Sequence, residues 1–280
     1  MFQNKSPRYE ILSQDAMAVL DKGWRRIVSE MGIEFMHDRA LDMFRAAGQK
    51  VEGNNVKFDP DWILAQVAQA PSEFTLQARN PNNNVIIGGD NMVFGGVYGP
   101  PFVRDLGVRR DGTRDDFRNL TKLTQMFTDI DVASSEVVEP NDADLDTRHI
   151  DMIYSCQTLS DKAFMGNVVT GPNARDTIKM ADIIFGGRAN IEKTPAIISL
   201  INCNSPLRWD DRMLDSLFEY SEAGQPCVLT PFLLMGAMSP VTIPASLVQQ
   251  IAEALSGIAL AQLVRPGCPV VFGSFLSNID

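Results

Sequence analysis

The sequence predicts an α/β fold, a helical N-terminal part followed by a part built on a parallel sheet. Three observations carry this. The first 90 residues show helical spacing closed by recognisable caps. From about residue 92, short apolar runs alternate with helical patterns. Successive runs start roughly 30–40 residues apart, the length of a βα unit. The expected division is therefore 1–90, a helical cap or subdomain, and 91–280, a series of βα units.

Taken in order, Leu12, Ala16, Leu20, Ile27 and Met31 recur near helical spacing, and Ser13 is available as an N-cap, which predicts a helix over about 13–31. A second, over 38–47, stops at Gly48, the residue type that tolerates a left-handed C-terminal cap. A third opens at Asp59-Pro60 and runs to about Ala70, where Pro71 ends it. The segments 74–77 and 85–87 alternate around an Asn/Pro-rich stretch and read as a hairpin or loop.

Beyond residue 91, apolar runs at 92–94, 130–133, 163–165, 196–201, 227–229 and 270–272 read as strands. Helical patterns fall between them, over 113–126, 147–159, 174–185, 212–223 and 247–263. Asn173 and Asp210 stand as N-caps for two of these, and Gly186, Gly224 and Gly267 follow three. No long hairpin interrupts the series, so the sheet is expected to be parallel. A doubly wound nucleotide-binding sheet would carry a GxGxxG turn after its first strand. Here that turn reads Gly95-Gly96-Val97-Tyr98-Gly99-Pro100-Pro101, which is not that motif. The preferred fold is a (β/α)8 TIM barrel. Six runs are present where a barrel needs eight, and the sequence continues only eight residues past Phe272. The expectation is a barrel truncated after about six strands, short by about 70 residues.

Composition narrows the function. The 280 residues carry 25 Lys+Arg against 35 Asp+Glu, a net charge of −10, with 45% apolar residues and mean hydropathy of −0.07. An acidic chain is a poor partner for nucleic acid. No uninterrupted apolar run reaches about 18 residues, and the N-terminus lacks the apolar core of a signal peptide, so neither a membrane span nor export is expected. Cys156, Cys203, Cys227 and Cys268 form no CxxC pair, and only His37 and His149 accompany them. Neither a zinc site nor a disulfide framework is expected, which fits a cytoplasmic protein.

In a parallel barrel the chemistry gathers at the C-terminal ends of the strands. Those ends carry no histidine, no lysine and no facing pair of carboxylates. Lys162 precedes its strand. What remains is amide, hydroxyl, aromatic and thioether groups, with Glu136 as the main carboxylate. This set suits a ligand both cationic and apolar. The rings of Tyr98, Phe232 and Phe275 attract a quaternary ammonium at about 0.5–2 kcal/mol each. Glu136 adds a charge, and Asn202 and Asn204 stand at the wall of the same pocket. Each has a plainer role beside this one: the rings also suit packing of the barrel mouth, and the asparagines suit satisfying loop backbone. No catalytic residue and no metal ligand is assigned. Asp144-Leu145-Asp146 resembles a metal-binding DxD but suits capping of the helix that begins near Thr147. His149 reads as packing or surface. Cys203 has no histidine partner that would make it a nucleophile.

Several segments together resemble the trimethylamine methyltransferase family. They are SPVTIP at 239–244, EALSGI at 253–258 and AQLVRPG at 261–267; YEIL at 9–12 with EMGI at 30–33; Arg104-Asp105 with RRDGT at 109–113; NSPL at 204–207; and GQP at 224–226. Their span covers nearly the whole chain. The resemblance implies a longer (β/α)8 enzyme that moves a methyl group from an amine to the cobalt of a corrinoid (cobalamin). The corrinoid is supplied by a separate partner protein rather than bound tightly. The archaeal trimethylamine enzymes carry a pyrrolysine, whose position falls beyond Asp280. The expected branch is the one without it, some of whose members use glycine betaine and related quaternary amines, so the expected methyl donor is a quaternary amine such as a betaine, or trimethylamine. Two alternatives stand beside this reading: a non-catalytic barrel that binds methylated amines, and a barrel lyase whose base lies on missing strands. Exposed sheet edges add the expectation of a homo-oligomer.

Overall fold

The computed structural model describes residues 2–278. They form two compact units that interleave along the chain. The first contains Ser72–Ser199 and Ala223–Pro226 with the N-terminal residues through Lys5. The second contains Ser6–Pro71, Leu200–Glu222 and the chain from Cys227 onward.

In the first unit, Glu73–Leu76 pairs antiparallel with Val85–Gly88 across a 3-10 turn at Pro81–Asn83, so the alternation read there is a hairpin. Helix Arg114–Met126 opens with a reciprocal capping box. Asp116 N donates to Thr113 Oγ1 at 3.2 Å, and Thr113 N donates to Asp116 Oδ2 at 3.0 Å. Three parallel strands follow: β1 (Val132–Ala133), β2 (Ala163–Gly166) and β3 (Ile197–Cys203). Helix Arg148–Leu159 connects β1 to β2, and helices Gly171–Ile184 and Arg188–Lys193 connect β2 to β3. Val132 lies opposite Ala163, and Phe164 opposite Ile197. Ala133, Phe164, Ile197 and Ile198 are buried, as expected where both faces of a parallel sheet are covered.

Three expectations are corrected in this unit. The run at 92–94 is not a strand of the parallel series. Asn91–Met92 pairs antiparallel with Phe2–Gln3, and Gly95 makes only an isolated parallel bridge to Val132. Three apolar residues are too short a run to specify either burial or a pairing partner: Met92 and Phe94 stay 46% and 45% exposed, and a distant segment decides the pairing. Next, Phe102–Asp105 and Val108–Asp111 form a hairpin where none was expected. Its central residues, Leu106 and Gly107, have φ of +44° and +87°. That geometry ordinarily announces itself as Asn-Gly, and Leu-Gly hides it. Finally, Thr170 rather than Asn173 caps the third helix: its Oγ1 accepts from Asn173 N at 3.3 Å, and the helix begins at Gly171.

In the second unit, Ser13 caps helix Gln14–Arg26, its Oγ accepting from Ala16 N at 3.2 Å. The helix runs into a π-helical turn, Ile27–Met31, and stops at Gly32. There φ is +81°, and an added Cβ would sit 2.1 Å from Asn55 Oδ1. Helix Asp38–Ala46 ends as expected at Gly48, with Gly48 N donating to Arg45 O and Gln49 N to Phe44 O. Asp59 caps helix Pro60–Val67. Phe35, Phe44, Phe58 and Trp62 pack into an aromatic cluster with adjacent centroids 4.7–6.4 Å apart.

The C-terminal half of β3 lies in this unit, where the strand order continues to β4 (Cys227–Met235) and β5 (Val270–Phe272). The last strand, β6 (Phe275–Asn278), also pairs parallel with β4. Thus β5 and β6 follow one another along the same side of β4, Cys227–Leu229 facing β5 and Phe232–Met235 facing β6. Gly273 sits at the break. A Cβ there would lie 2.2 Å from Thr230 Oγ1, so the chain passes only as glycine.

Helix Ile243–Val264 packs against helices Gln14–Arg26, Pro60–Val67 and Asp211–Glu222 and against β4. It is apolar nearly all round, the signature of a helix enclosed by protein. By length and averaged hydropathy it is apolar enough to cross a membrane, although Ser, Gln and Glu residues break up its apolar runs. Within the protein 67% of its most apolar window is buried.

Candidate functional site

The short strand β1 delivers Ser134-Ser135-Glu136 from its C-terminal end. Glu136 N donates to Ser134 Oγ at 3.1 Å, which turns the chain and directs the next carboxyl inward. Glu136 is only 4% exposed. Asn167, just past β2, donates from Nδ2 to Glu136 Oε1 at 2.7 Å. The orientation of that amide follows from its other end, where Oδ1 accepts from Val169 N and from Asn173 Nδ2, both at 3.2 Å. A backbone N–H is always a donor, so the Asn167 amide nitrogen must face the carboxyl. Tyr98 reaches the same group. Its hydroxyl lies 3.2 Å from Gly166 O and also bonds the Glu136 carboxyl. Gly99 N donates to Glu136 O at 2.7 Å, which fastens the 97–101 segment alongside.

Burial pushes the Glu136 carboxyl up to about 7, and the charge of Glu139 adds to that shift. Hydrogen bonds from Tyr98 and Asn167 and the charge of Arg148 oppose it. Arg148 is itself engaged by Glu139 at 2.9 Å, which weakens its help. Glu136 is therefore poised between acid and carboxylate near neutral pH.

In the second unit, Phe232 of β4 and Phe275 of β6 are direct register partners. Their rings stack with centroids 4.5 Å apart and planes at 10°, and they remain 36% and 50% exposed. Asn202 is half-buried in β3. Asn204 closes its own loop: its N donates to Arg208 O at 2.8 Å, its Oδ1 accepts from Asp210 N and its Nδ2 donates to Asp210 Oδ2, both at 3.2 Å. The residues selected from sequence thus come together as two pairs, Tyr98 with Glu136 and Phe232 with Phe275, while Asn204 serves loop backbone.

Sequence reading passed over Asn167 and Glu253. Glu253 is the only acidic residue of helix Ile243–Val264 and is fully buried. It accepts from Ser205 Oγ at 2.6 Å, Leu207 N at 2.7 Å and Gln249 Nε2 at 2.8 Å. Burial pushes its carboxyl up, against these bonds. A lone acid on an otherwise apolar helix was the available signal. Lys162 is occupied elsewhere, donating to the carbonyls of Thr124, Phe127 and Ile130 at 2.5–2.8 Å and so closing the end of helix Arg114–Met126. The Cys203 thiol is buried and pushed well up, which leaves it un-ionised. Asp144 accepts from Asp146 N in a turn, and buried His149 bonds Asp176 through Nε2 at 3.2 Å. Among the described residues no three His, Cys, Asp or Glu side chains gather as a metal site.

The family model for trimethylamine methyltransferase (MTTB) matches residues 1–280. The chain belongs to this family. It is 42% identical over 269 residues to a glycine betaine methyltransferase of Desulfitobacterium hafniense (strain Y51), covering 96% of this chain and 56% of that protein. It is 26% identical to a proline betaine:corrinoid methyltransferase of Eubacterium limosum, covering 100% and 59%. A trimethylamine methyltransferase of Methanosarcina barkeri is 25% identical, covering 96% and 56%. The chain thus spans somewhat over half the length of these relatives. The crystal structure of the Methanosarcina barkeri monomethylamine methyltransferase superposes with a TM-score of 0.59 at 11% identity, over 87% of this chain and 50% of that one, a likeness of fold. Two family-like segments, 204–207 and 253–258, meet at the hydrogen bonds of Glu253.

Proposed function

We propose that this chain is part of an enzyme that transfers a methyl group from a quaternary amine, with glycine betaine as the leading candidate, to the Co(I) of a corrinoid carried by a separate protein. The 42% identity to a glycine betaine methyltransferase over nearly the whole chain carries the reading. The same proposal takes the parallel strands as part of a (β/α)8 barrel with residues 1–90 as its cap and 91–280 as its βα units. It takes Tyr98, Glu136, Asn202, Asn204, Phe232 and Phe275 as lining the mouth. The corrinoid comes with the partner, and the protein works in the cytoplasm as a homo-oligomer.

The chemistry asks little acid or base of the protein. The acceptor supplies the nucleophile; one C–N bond of the quaternary amine breaks, and its electron pair leaves with a neutral tertiary amine. No proton is needed by the leaving group. The protein's tasks are to hold the cation, aim one methyl and exclude water. Aromatic faces and a carboxyl are groups of the kind that attract a cation, and the stacked rings of Phe232 and Phe275 and the Glu136 carboxyl support the reading in that sense.

The test is methylcobalamin formation, followed by absorbance, when the protein is incubated with reduced cobalamin and glycine betaine, proline betaine, carnitine or trimethylamine. Methylation from glycine betaine is the expected result. Turnover of trimethylamine alone would replace the substrate assignment. Saturable binding without turnover would favour a binding protein, and neither binding nor turnover would end the proposal.

A further inference from the structure

We infer that the hairpin 102–111 is the arm of a two-fold contact between two copies of this chain, in which the Leu106 tip and the Arg104–Arg109 pair of each copy lie against the acidic turn 142–146 of the other. The inference deepens the homo-oligomer reading given above and rests on it.

Arg104 and Arg109 are direct register partners, so their guanidinium groups share one face of the hairpin. Like charges placed opposite one another cost stability. Among the described residues neither of the two pairs with a carboxylate, and Arg109 instead stacks over the Phe102 ring at 3.8 Å. The other face of the hairpin turns to the protein: Val103 packs against Phe117, Val137, Val138 and Met152, and Arg110 is held by Asp116 at 2.8 Å. The tip is Leu106, fully exposed at positive φ, where an apolar branched side chain gains nothing in a lone copy.

The base of the same arm carries the opposite charge. Asn141 donates to Gly112 O through its backbone N and to Pro101 O through Nδ2, both at 2.9 Å, which fastens the arm beside the turn 142–146. That turn exposes Asp142, Asp144 and Asp146 around Leu145, itself 72% exposed, and Asp111 lies at the foot of the arm. The cations nearby are engaged by other acids, Arg148 by Glu139 at 2.9 Å and Arg114 by Asp151 at 3.4 Å. Strands of four residues at about 3.3 Å each give the arm a reach of about 13 Å, with the arginines toward the tip and the acids at the base. Two arms laid side by side and antiparallel bring each tip to the other's base, and both contacts form at once. Such a patch is self-complementary, as a two-fold interface requires. With a net charge of −10 the copies otherwise repel, so the paired charges also fix the approach.

Sedimentation velocity of the protein at about 50 mM and about 500 mM salt is the test. A dimer at low salt that loosens at high salt is expected. Arg104→Glu with Arg109→Glu, and separately Asp111→Lys with Asp146→Lys, should each raise the dissociation constant about tenfold or more. Mixing these two double variants should restore dimers, because each arm then meets a base of opposite charge. Leu106→Asn should weaken association as well, with no fall in melting temperature at high salt, which separates a lost contact from a lost fold. A monomer under all conditions would remove the homo-oligomer reading and the inference with it. A dimer that all three variants leave intact, or a mixture of the double variants that fails to associate, overturns the inference alone.

Discussion

Glu253 accepts the Ser205 hydroxyl at 2.6 Å through one carboxyl oxygen and the Leu207 amide at 2.7 Å through the other. A single side chain of helix Ile243–Val264 therefore holds the loop that leaves β3. Trp209, further along that loop, donates from Nε1 to Ser256 Oγ at 3.3 Å, one turn beyond Glu253 on the same helix. Glu253→Ala leaves the buried Ser205 hydroxyl and the half-buried Leu207 amide without an acceptor. The expected loss is about 2–4 kcal/mol in urea unfolding, while Glu253→Gln, which keeps one acceptor oxygen, should lose less.

Gly257 lies under the ring of Trp209, and a Cβ there would sit 2.5 Å from Cζ2 and 2.9 Å from Cη2. In an exposed helix, Gly→Ala gains up to about 1 kcal/mol. Here the indole is fully buried and has nowhere to go. Overpacking costs about 1–3 kcal/mol, so Gly257→Ala should lower the urea midpoint rather than raise it.

The pH dependence of stability has a definite sign at Glu136. Its carboxyl is raised from 4.5 to about 7 in the folded protein, so the folded state holds its proton more tightly than the unfolded chain does. The penalty for ionising it is absent below about 4.5, grows between 4.5 and 7, and is complete above 7. Its size is on the order of 3 kcal/mol. Glu136→Gln should remove this fall, giving a melting-temperature gain over the parent that increases from acid to neutral pH.

Leu106 is fully exposed at a hairpin tip with φ of +44°, a conformation that costs a branched side chain. Asn tolerates that region and is favoured in such turns. Leu106→Asn should therefore stabilise the protein by about 0.5–1 kcal/mol, seen as a higher melting temperature.

If the stacked rings hold the methylated ammonium, Phe275→Ala removes one face of the pair. The expected result is a rise in KM for glycine betaine of about 2- to 30-fold, with a smaller change in kcat. An unchanged KM would take these rings out of the site.

Much of the fold was legible in sequence because much of it is local. The caps at Ser13, Asp59 and Asp210 and the stops at Gly48, Gly186, Gly224 and Gly267 depend on residues within a few positions of one another. A side chain next to an orphan N–H, or a glycine that accepts positive φ, acts over one helical turn. The apolar runs likewise located β1 to β5, because burial on both faces of a parallel sheet leaves its mark residue by residue. Where a local signal had two readings, as with Thr170 and Asn173, or was written in an uncommon residue, as with Leu106, the chemistry along the chain was ambiguous.

The pairing partners and the state of the site were decided by tertiary structure. Met92 takes its direction from Phe2, ninety residues away, and Phe275 meets Phe232 only because β6 follows β5 along the same side of β4. Glu136 was visible as the main carboxylate. Its raised affinity for a proton comes from desolvation and from the charge of Glu139, against the hydrogen bonds of Tyr98 and Asn167, and none of these is a sequence property of Glu136. Hydrogen-bond direction and dielectric environment belong to the packed molecule, and they convert an inventory of residue types into a site with a charge state.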